Sequence, residues 1–305
     1  MDWDQLRIFL AVARAGQILG AATRLGLNHA TVSRHIAALE EHLGARLLER
    51  HSTGSTLTTA GERLKRTAEA MEAEFLRAQS DLSDTDHDLA GAVRVGAPDG
   101  FGTYFLAREL TALSCRHPEL LIELVPLPRT FSLSRREADI AISLDRPTHG
   151  RLIVRSLTGY GLSVYATRDH LHRFGPIATT EDLAGRVIVT GIEEMSYSSA
   201  LKYHDAVGSL SQVRFACASI AGQIEAVLSG NGVGVVHDFI AAQYPELMRI
   251  LPAIHFRRTY WIVSHSDTHH LRRVTAVYRT IVERTGAARA LFDSPDDTPD
   301  DASPV

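Results

Sequence analysis

The stretch Asn28, His29, Ala30, Thr31, Val32, Ser33, Arg34 sets hydrogen-bonding and cationic groups on a surface otherwise kept small. A guanidinium can fork onto the two acceptors of a guanine edge or onto a phosphate, and serine and threonine hydroxyls donate to phosphate or base. Ala30 and Ala37 keep the same face low, so that a helix backbone can approach a groove closely. His29, at the start of the helix, reaches a base edge if the helix enters by its N-terminus. Behind these residues Val32, Ile36, Leu39 and Leu43 recur at helical spacing, an apolar stripe for packing. An ordinary small helical bundle with exposed polar residues would carry the same pattern, so the helix by itself leaves both readings open.

The elements that must position this helix are legible around it. Leu6, Phe9, Leu10 and Ala13 share one helical face, and Gly16 ends that helix. Ile18, Ala21, Ala22 and Leu25 repeat the pattern up to Gly26, and Asn28 is placed to cap the third helix, which Gly44 closes. A short helix, a tight turn and a longer helix make a helix-turn-helix. Segments 46–48 and 55–57 flank Ser52, Thr53 and Gly54 and predict a small hairpin, a wing whose contacts to phosphate come from Ser52, Thr53, backbone N–H groups and Arg50. Thr59 and Glu62 fit a capping box that opens a long helix. Along it Leu64, Ala68, Met71, Phe75, Ala78 and Leu82 alternate at +4 and +3, a seam suited to dimerisation through Leu64, Ala68, Met71, Phe75 and Leu82. The alternative is that this helix packs only on its own domain. The polar run 81–88 reads as a linker.

From residue 92 the texture changes. Strand-like runs at 93–97, 121–127, 139–144, 162–167, 187–190, 213–218, 233–237 and 260–264 alternate with helical patterns such as 105–115 and 220–228. This predicts an α/β domain with a largely parallel sheet. A last helix falls at 271–284, and the Asp-, Pro- and Ser-rich residues 293–305 read as a disordered acidic tail.

The net charge of −4 over 305 residues excludes a globally basic nucleic-acid binder, so DNA affinity must come from a local surface. No apolar stretch is long enough to span a bilayer, and Asp2 and Asp4 stand where a secretory signal carries positive charge, which predicts a cytoplasmic protein with no membrane partner. Cys115 and Cys217 are read as buried small apolar residues. No Ser-His-Asp or phosphate-loop pattern stands in a usable context, so no catalytic residue is assigned and an enzyme is not expected. Gly230 to Gly234 follow a helix and precede a strand, which reads as a tight turn. His265, Asp267, His269 and His270 read as a strand-to-helix junction with Asp267 as cap; no metal and no cofactor are assigned.

Over some sixty residues the chain closely resembles the N-terminal signature of LysR-type transcriptional regulators. The resemblance lies in the run from Phe9 to Ala13, Gly16, Ala21 and Ala22, the run from Thr31 to Gly44, then Leu47 to Arg50 and Leu57 to Gly61. Pro118, Glu119 and Leu120, and the run from Glu137 to Ile142, resemble later family segments. Two departures stand out: Asn28 and His29 replace a common Ser-Gln pair, and the wing tip carries no cation.

The resemblance implies an all-α winged helix-turn-helix at 1–58, a linker or dimerisation helix at 59–90, and an effector-binding domain at 91–292. That domain is α/β, two-lobed and periplasmic-binding-protein-like, with lobe one at 91–158 and 265–292 and lobe two at 159–264. Gly159, Tyr160 and Gly161 are placed as a hinge. The partners implied are double-stranded promoter DNA, a second copy as homodimer or homotetramer, and RNA polymerase. A small-molecule effector would lie beyond the carboxyl ends of the strands. The residues there include Asp99, Thr103, Arg129, Thr130, Arg146, Thr190 and His237; Arg129 and Arg146 suit an organic acid. A second reading keeps DNA binding and makes the C-terminal domain an oligomerisation scaffold in a constitutive regulator.

Overall fold

The N-terminal helices form because each has apolar residues on a stripe and a stop in the right place. Helix α1 (Trp3–Ala15) is opened by a capping box between Asp2 and Gln5; α2 (Ile18–Leu25) ends at Gly26 and α3 (His29–Leu43) at Gly44. Gly26 sits at φ +65°, a left-handed turn that lets α3 leave α2 at once. The Asn28 side chain accepts from the Thr31 N–H at 2.7 Å, as its position predicts. The computed structural model describes residues 2–51, 54–82, 89–127, 129–131, 133, 137–201, 203, 207 and 211–293.

Helix α1 buries two faces rather than one. Phe9 and Val12 join Ala21, Ala22, Val32, Ile36 and Leu39 in one core, while Leu6 and Leu10 pack on Ala68 of α4 (Thr59–Leu82). Between α3 and α4 run β1 (Leu48–His51) and β2 (Gly54–Leu57), paired antiparallel from Leu48 with Leu57 to His51 with Gly54. The hairpin is therefore present, but its first strand is Leu48–His51 where 46–48 was expected, and its second begins one residue earlier than expected. Its tip, Ser52 and Thr53, lies outside the described residues, as does the linker stretch 83–88.

Three local expectations fail for identifiable reasons. Leu43 is 39% exposed, and the inward position near the end of α3 is taken by Glu40. The cap of α4 is Thr58, one residue early: its hydroxyl accepts from the Gly61 N–H at 3.0 Å and donates to the Arg46 carbonyl at 2.7 Å. Cys115, in the last turn of its helix, is exposed, and Cys217, one residue beyond its strand, is half-buried.

At this junction Gly61 has no room for a side chain, since a Cβ there would overlap the Leu47 carbonyl oxygen and press on Leu57. Gly61→Ala is expected to cost about 1–3 kcal/mol of N-terminal stability. Thermal unfolding measures it, and an unmoved midpoint would show that the junction yields.

The rest of the chain builds one eight-stranded mixed sheet with helices on its faces. The elements in order are β3 (Gly91–Ala97), α5 (Asp99–Phe101), a π turn over Gly102–Leu106, α6 (Ala107–Arg116), β4 (Leu120–Pro126), β5 (Ile140–Ser143), β6 (Leu152–Thr167), α7 (Arg168–Phe174), β7 (Val187–Thr190), β8 (Arg214–Ala216), α8 (Ile220–Leu228), β9 (Gly232–His237), α9 (Asp238–Ala241), β10 (Leu247–His265), α10 (Ser266–His269), α11 (Arg272–Ala287) and α12 (Arg289–Phe292). The strand order is β4-β3-β5-β10-β6-β9-β7-β8.

The outer pairings β3–β4, β3–β5, β7–β8 and β7–β9 are parallel, but the central β6 and β10 run antiparallel to each other and to β9 and β5. A largely parallel sheet was therefore the wrong description of the centre. Two long strands carry the chain from one lobe to the other and back, and strands that cross in opposite senses pair antiparallel.

Gly159 and Gly161 lie inside β6, not in a coil. A Cβ on Gly161 would overlap the Asp238 carboxylate, which takes hydrogen bonds from Tyr165 and His255. The residue makes room for that buried group. The tail beyond Asp293 lies outside the described residues.

Candidate nucleic-acid interface and interlobe cleft

On α3 the two faces separate cleanly. Val32, Ile36 and Leu39 are at most 1% exposed, whereas His29, Ala30, Arg34, Ala37 and Ala38 face outward. Asn28 is committed to the cap, so it sets where the helix starts. Arg34 reaches back to the Thr31 hydroxyl at 3.4 Å, a long contact that leaves its guanidinium at the surface. Ser33 departs from expectation: its hydroxyl is buried without a partner, so it does not face a groove. Arg50 lies in β1 opposite Ser55, within the wing. The wing is anchored by the Ser55 N–H, which donates to the Gly16 carbonyl at 2.8 Å.

Glu40 is the residue that sequence reasoning missed. It is 9% exposed, and its carboxylate accepts from the Leu47 N–H at 2.7 Å, the Leu48 N–H at 3.2 Å and Arg46 at 3.0 Å. Burial alone would raise its pKa; those donors outweigh burial and hold it below the usual carboxylate value. The contact fixes the start of the wing against α3.

The residues expected to dimerise divide. Leu64 and Ala68 pack against α1, and Arg14 clamps the same side through Glu72 at 2.7 Å. Met71 and Phe75 remain 45% and 55% exposed, with the Phe75 ring 5.5 Å from that of Trp3. Leu82 closes α4, and its side chain lies outside the described set.

Between the lobes lies a cavity of about 800 Å³. Asp99, Thr190 and His237 line it as the strand-end argument expects. Thr103 does not; it is exposed and turns toward Asp99 at 3.4 Å. Arg129 pairs with Glu137 at 3.1 Å and lies over Phe131, and with Thr130 it lines an adjoining hollow of about 220 Å³ that shares Asp145 and Tyr197 with the main cavity. Arg146 stacks over Trp261. These two guanidinium groups do not meet in the main cavity, so the expected carboxylate clamp is not assembled.

The wall includes residues that no motif announced. Tyr160 and Tyr260 are stacked with centroids 4.0 Å apart, His237 stacks on Tyr160, and Tyr197, Tyr203, Glu193 and Arg214 complete much of the remainder. Burial pushes the Tyr160, Tyr197, Tyr203 and Tyr260 hydroxyls well above their ordinary pKa, so they act as neutral phenols. Tyr160 and Tyr260 come from the crossing strands, and alternation along a strand could have pointed to them. Tyr197 and Glu193 come from an irregular segment with no period to read. At the junction after β10, Asp267 is not the cap: the His265 side chain accepts from the Asp267 N–H, and Asp267 pairs with Arg151. Among the described residues, no three His, Cys, Asp or Glu side chains are grouped to hold a metal ion.

Two family descriptions match the chain. Residues 3–62 match the bacterial regulatory helix-turn-helix protein of the lysR family, and residues 86–286 match the LysR substrate binding domain. The HTH-type transcriptional regulator CrgA of Neisseria meningitidis serogroup C is 27% identical over 239 residues, which are 78% of this chain and 80% of that one. The crystal structure of ArgP from Mycobacterium tuberculosis superposes with a TM-score of 0.66 at 20% identity, covering 92% of this chain and 97% of the other. Full-length LysG from Corynebacterium glutamicum with bound effector Arg gives 0.62 at 18% identity, covering 94% and 99%. The fold is thus shared along nearly the whole chain. Among the described residues no helix is long and apolar enough to cross a membrane.

Proposed function

The chain belongs to the LysR family of helix-turn-helix transcriptional regulators, and from that premise we propose which of its residues read DNA and which receive the effector. It is a DNA-binding transcriptional regulator with an effector-binding C-terminal domain, and not an enzyme.

Helix α3 enters the major groove by its N-terminus. His29, Ala30 and Thr31 lie at base edges, and Arg34 contacts a guanine edge or a phosphate. Asn28 fixes the start of the helix. Arg50, Ser52 and Thr53 on the wing bind phosphate. The observation that carries this reading is the division of α3 into a buried stripe and a face of small residues around one arginine. Two copies joined through α4 place two such helices in successive major grooves, roughly 34–36 Å apart for adjacent half-sites. The site of action is the cytoplasm, where promoter DNA and RNA polymerase, the proposed downstream partner, are found.

The interlobe cavity receives a small molecule, and ligand there favours one arrangement of the lobes over another. The size of the cavity and its polar and aromatic wall support this over the scaffold reading. LysG carries an arginine effector at the same fold level, which places a small polar metabolite in the range to test. An organic acid was the class expected from Arg129 and Arg146, and it loses its support where both point elsewhere.

Footprinting of the purified protein on its own upstream region, against random duplex over a range of salt, tests the assignment. Specific protection is expected, and equal affinity for both would overturn it. Arg34→Ala is expected to weaken operator binding by about 10- to 100-fold without unfolding the domain. Unchanged protection by that variant would remove Arg34 from the interface.

A further inference from the structure

We propose that the interlobe cavity is built for a positively charged, amine- or guanidine-bearing molecule, because the position where an anion would bind is already filled by Asp99. This rests on the effector reading above and names the ligand class of that same cavity.

A carboxylate ligand needs N–H donors or guanidinium groups on the wall. The N-terminus of α8 offers donors, and its first residue, Ile220, lines the cavity. That end is occupied from the opposite lobe. One oxygen of Asp99 accepts from the Ile220 N–H at 2.6 Å and from the Ser219 hydroxyl at 2.9 Å. The positive end of the helix is thereby answered by a carboxylate of the protein itself. Arg129 and Arg146, the other cations expected to hold an acid, are engaged with Glu137, Phe131 and Trp261.

What remains is a negative wall. Among the described residues its charged side chains are the carboxylates Asp99, Asp145 and Glu193 and the guanidinium of Arg214. A second anion would meet repulsion there, and a cation attraction. From lobe two the Ser199 hydroxyl, a neutral donor, reaches Asp145 at 3.3 Å.

The aromatic part of the wall points the same way. Tyr160 is covered by Tyr260 and His237, and Tyr260 by Tyr160 and Phe101, so the wall ring placed to attract an ammonium or guanidinium group is that of half-buried Tyr197. Tyr260 is 0% exposed, lines the cavity and has a hydroxyl with no well-formed hydrogen bond. Such a phenol oxygen can accept from a ligand N–H, which a carboxylate ligand lacks.

Matched probes test the assignment on the full-length protein. Cadaverine and phenethylamine are compared with glutarate and 3-phenylpropionate at 10 mM, by thermal unfolding and calorimetric titration. Amines are expected to raise the unfolding midpoint by several degrees and the acids to leave it unmoved. The double substitution Asp145→Asn with Glu193→Gln is expected to weaken amine binding at least tenfold. Stabilisation by the acids alone would overturn the proposal and leave the effector reading standing; stabilisation by neither class would count against both.

A second arm isolates Asp99. Asp99→Ala is expected to vacate the end of α8, so that 50 mM formate, inert toward the native protein, raises the midpoint of the variant. Asp99→Asn, which keeps an acceptor, is expected to stay insensitive to formate. If Asp99→Ala folds and formate leaves it unmoved, the filled-anion argument fails; if it does not fold, a formate-sensitive Asp99→Asn would overturn that argument instead.

Discussion

Glu40→Ala is expected to destabilise the winged helix by about 3 kcal/mol, since it orphans the buried Leu47 and Leu48 N–H groups at roughly 1–3 kcal/mol each, less what relaxation recovers. Operator affinity falls with it, because those two bonds hold the root of the wing against the recognition helix. The pH dependence has a definite sign. Burial raises the Glu40 pKa and the Leu47, Leu48 and Arg46 donors lower it by more, so the folded value lies below the unfolded one. The contribution is then fully present above the unfolded value of about 4.3 and is lost as pH falls through the lower folded value. The difference between native protein and variant should therefore shrink in acid. Hydrogen exchange at the Leu47 and Leu48 amides reads the contact directly. Unchanged protection in Glu40→Ala would show that the carboxylate is dispensable. Glu40→Gln keeps one acceptor and is expected to lose less.

This residue also marks where the sequence stops being informative. Val32, Ile36 and Leu39 were legible because one-sided burial imposes a period that composition displays. Glu40 follows the stripe directly, and a glutamate near a helix end reads as solvated until two backbone donors are known to aim at it. The long strands show the same limit. The first half of β6 and much of β10 are only partly buried, with short apolar stretches broken by Arg155, Ser156 and Pro252, and only 162–167 and 260–264 were visible. Their antiparallel pairing follows from the chain crossing between lobes, a relation between distant segments. In the cleft, the strand-end argument led to Asp99, Thr190 and His237, which line the cavity. Arg129 and Arg146 stand just beyond strands too, yet Phe131, Glu137 and Trp261 draw them away. Residue type gives a group its chemistry, and neighbours remote in sequence give it a direction.

Phe75→Asp is expected to convert the protein to a folded monomer of 33.4 kDa and to weaken operator binding by at least ~100-fold. The seam read from the sequence ran from Leu64 to Leu82, but α1 takes up its first part: Leu64 and Ala68 face Leu6 and Leu10. The apolar surface that α4 leaves uncovered begins at Met71 and Phe75, beside Trp3. A large aromatic more than half exposed on a long helix contributes little to the single chain, and losing its contact with Trp3 costs on the order of 1 kcal/mol. Within a dimer the same position would bury a carboxylate against apolar neighbours, at several times that cost. The substitution thus separates assembly from folding. One recognition helix then binds alone, and the gain from tethering two half-sites disappears. Light scattering gives the mass and circular dichroism the fold; a helical variant with unaltered mass would move the interface away from α4. Phe75→Leu preserves an apolar contact and should remain dimeric, which distinguishes loss of packing from loss of a specific aromatic pair.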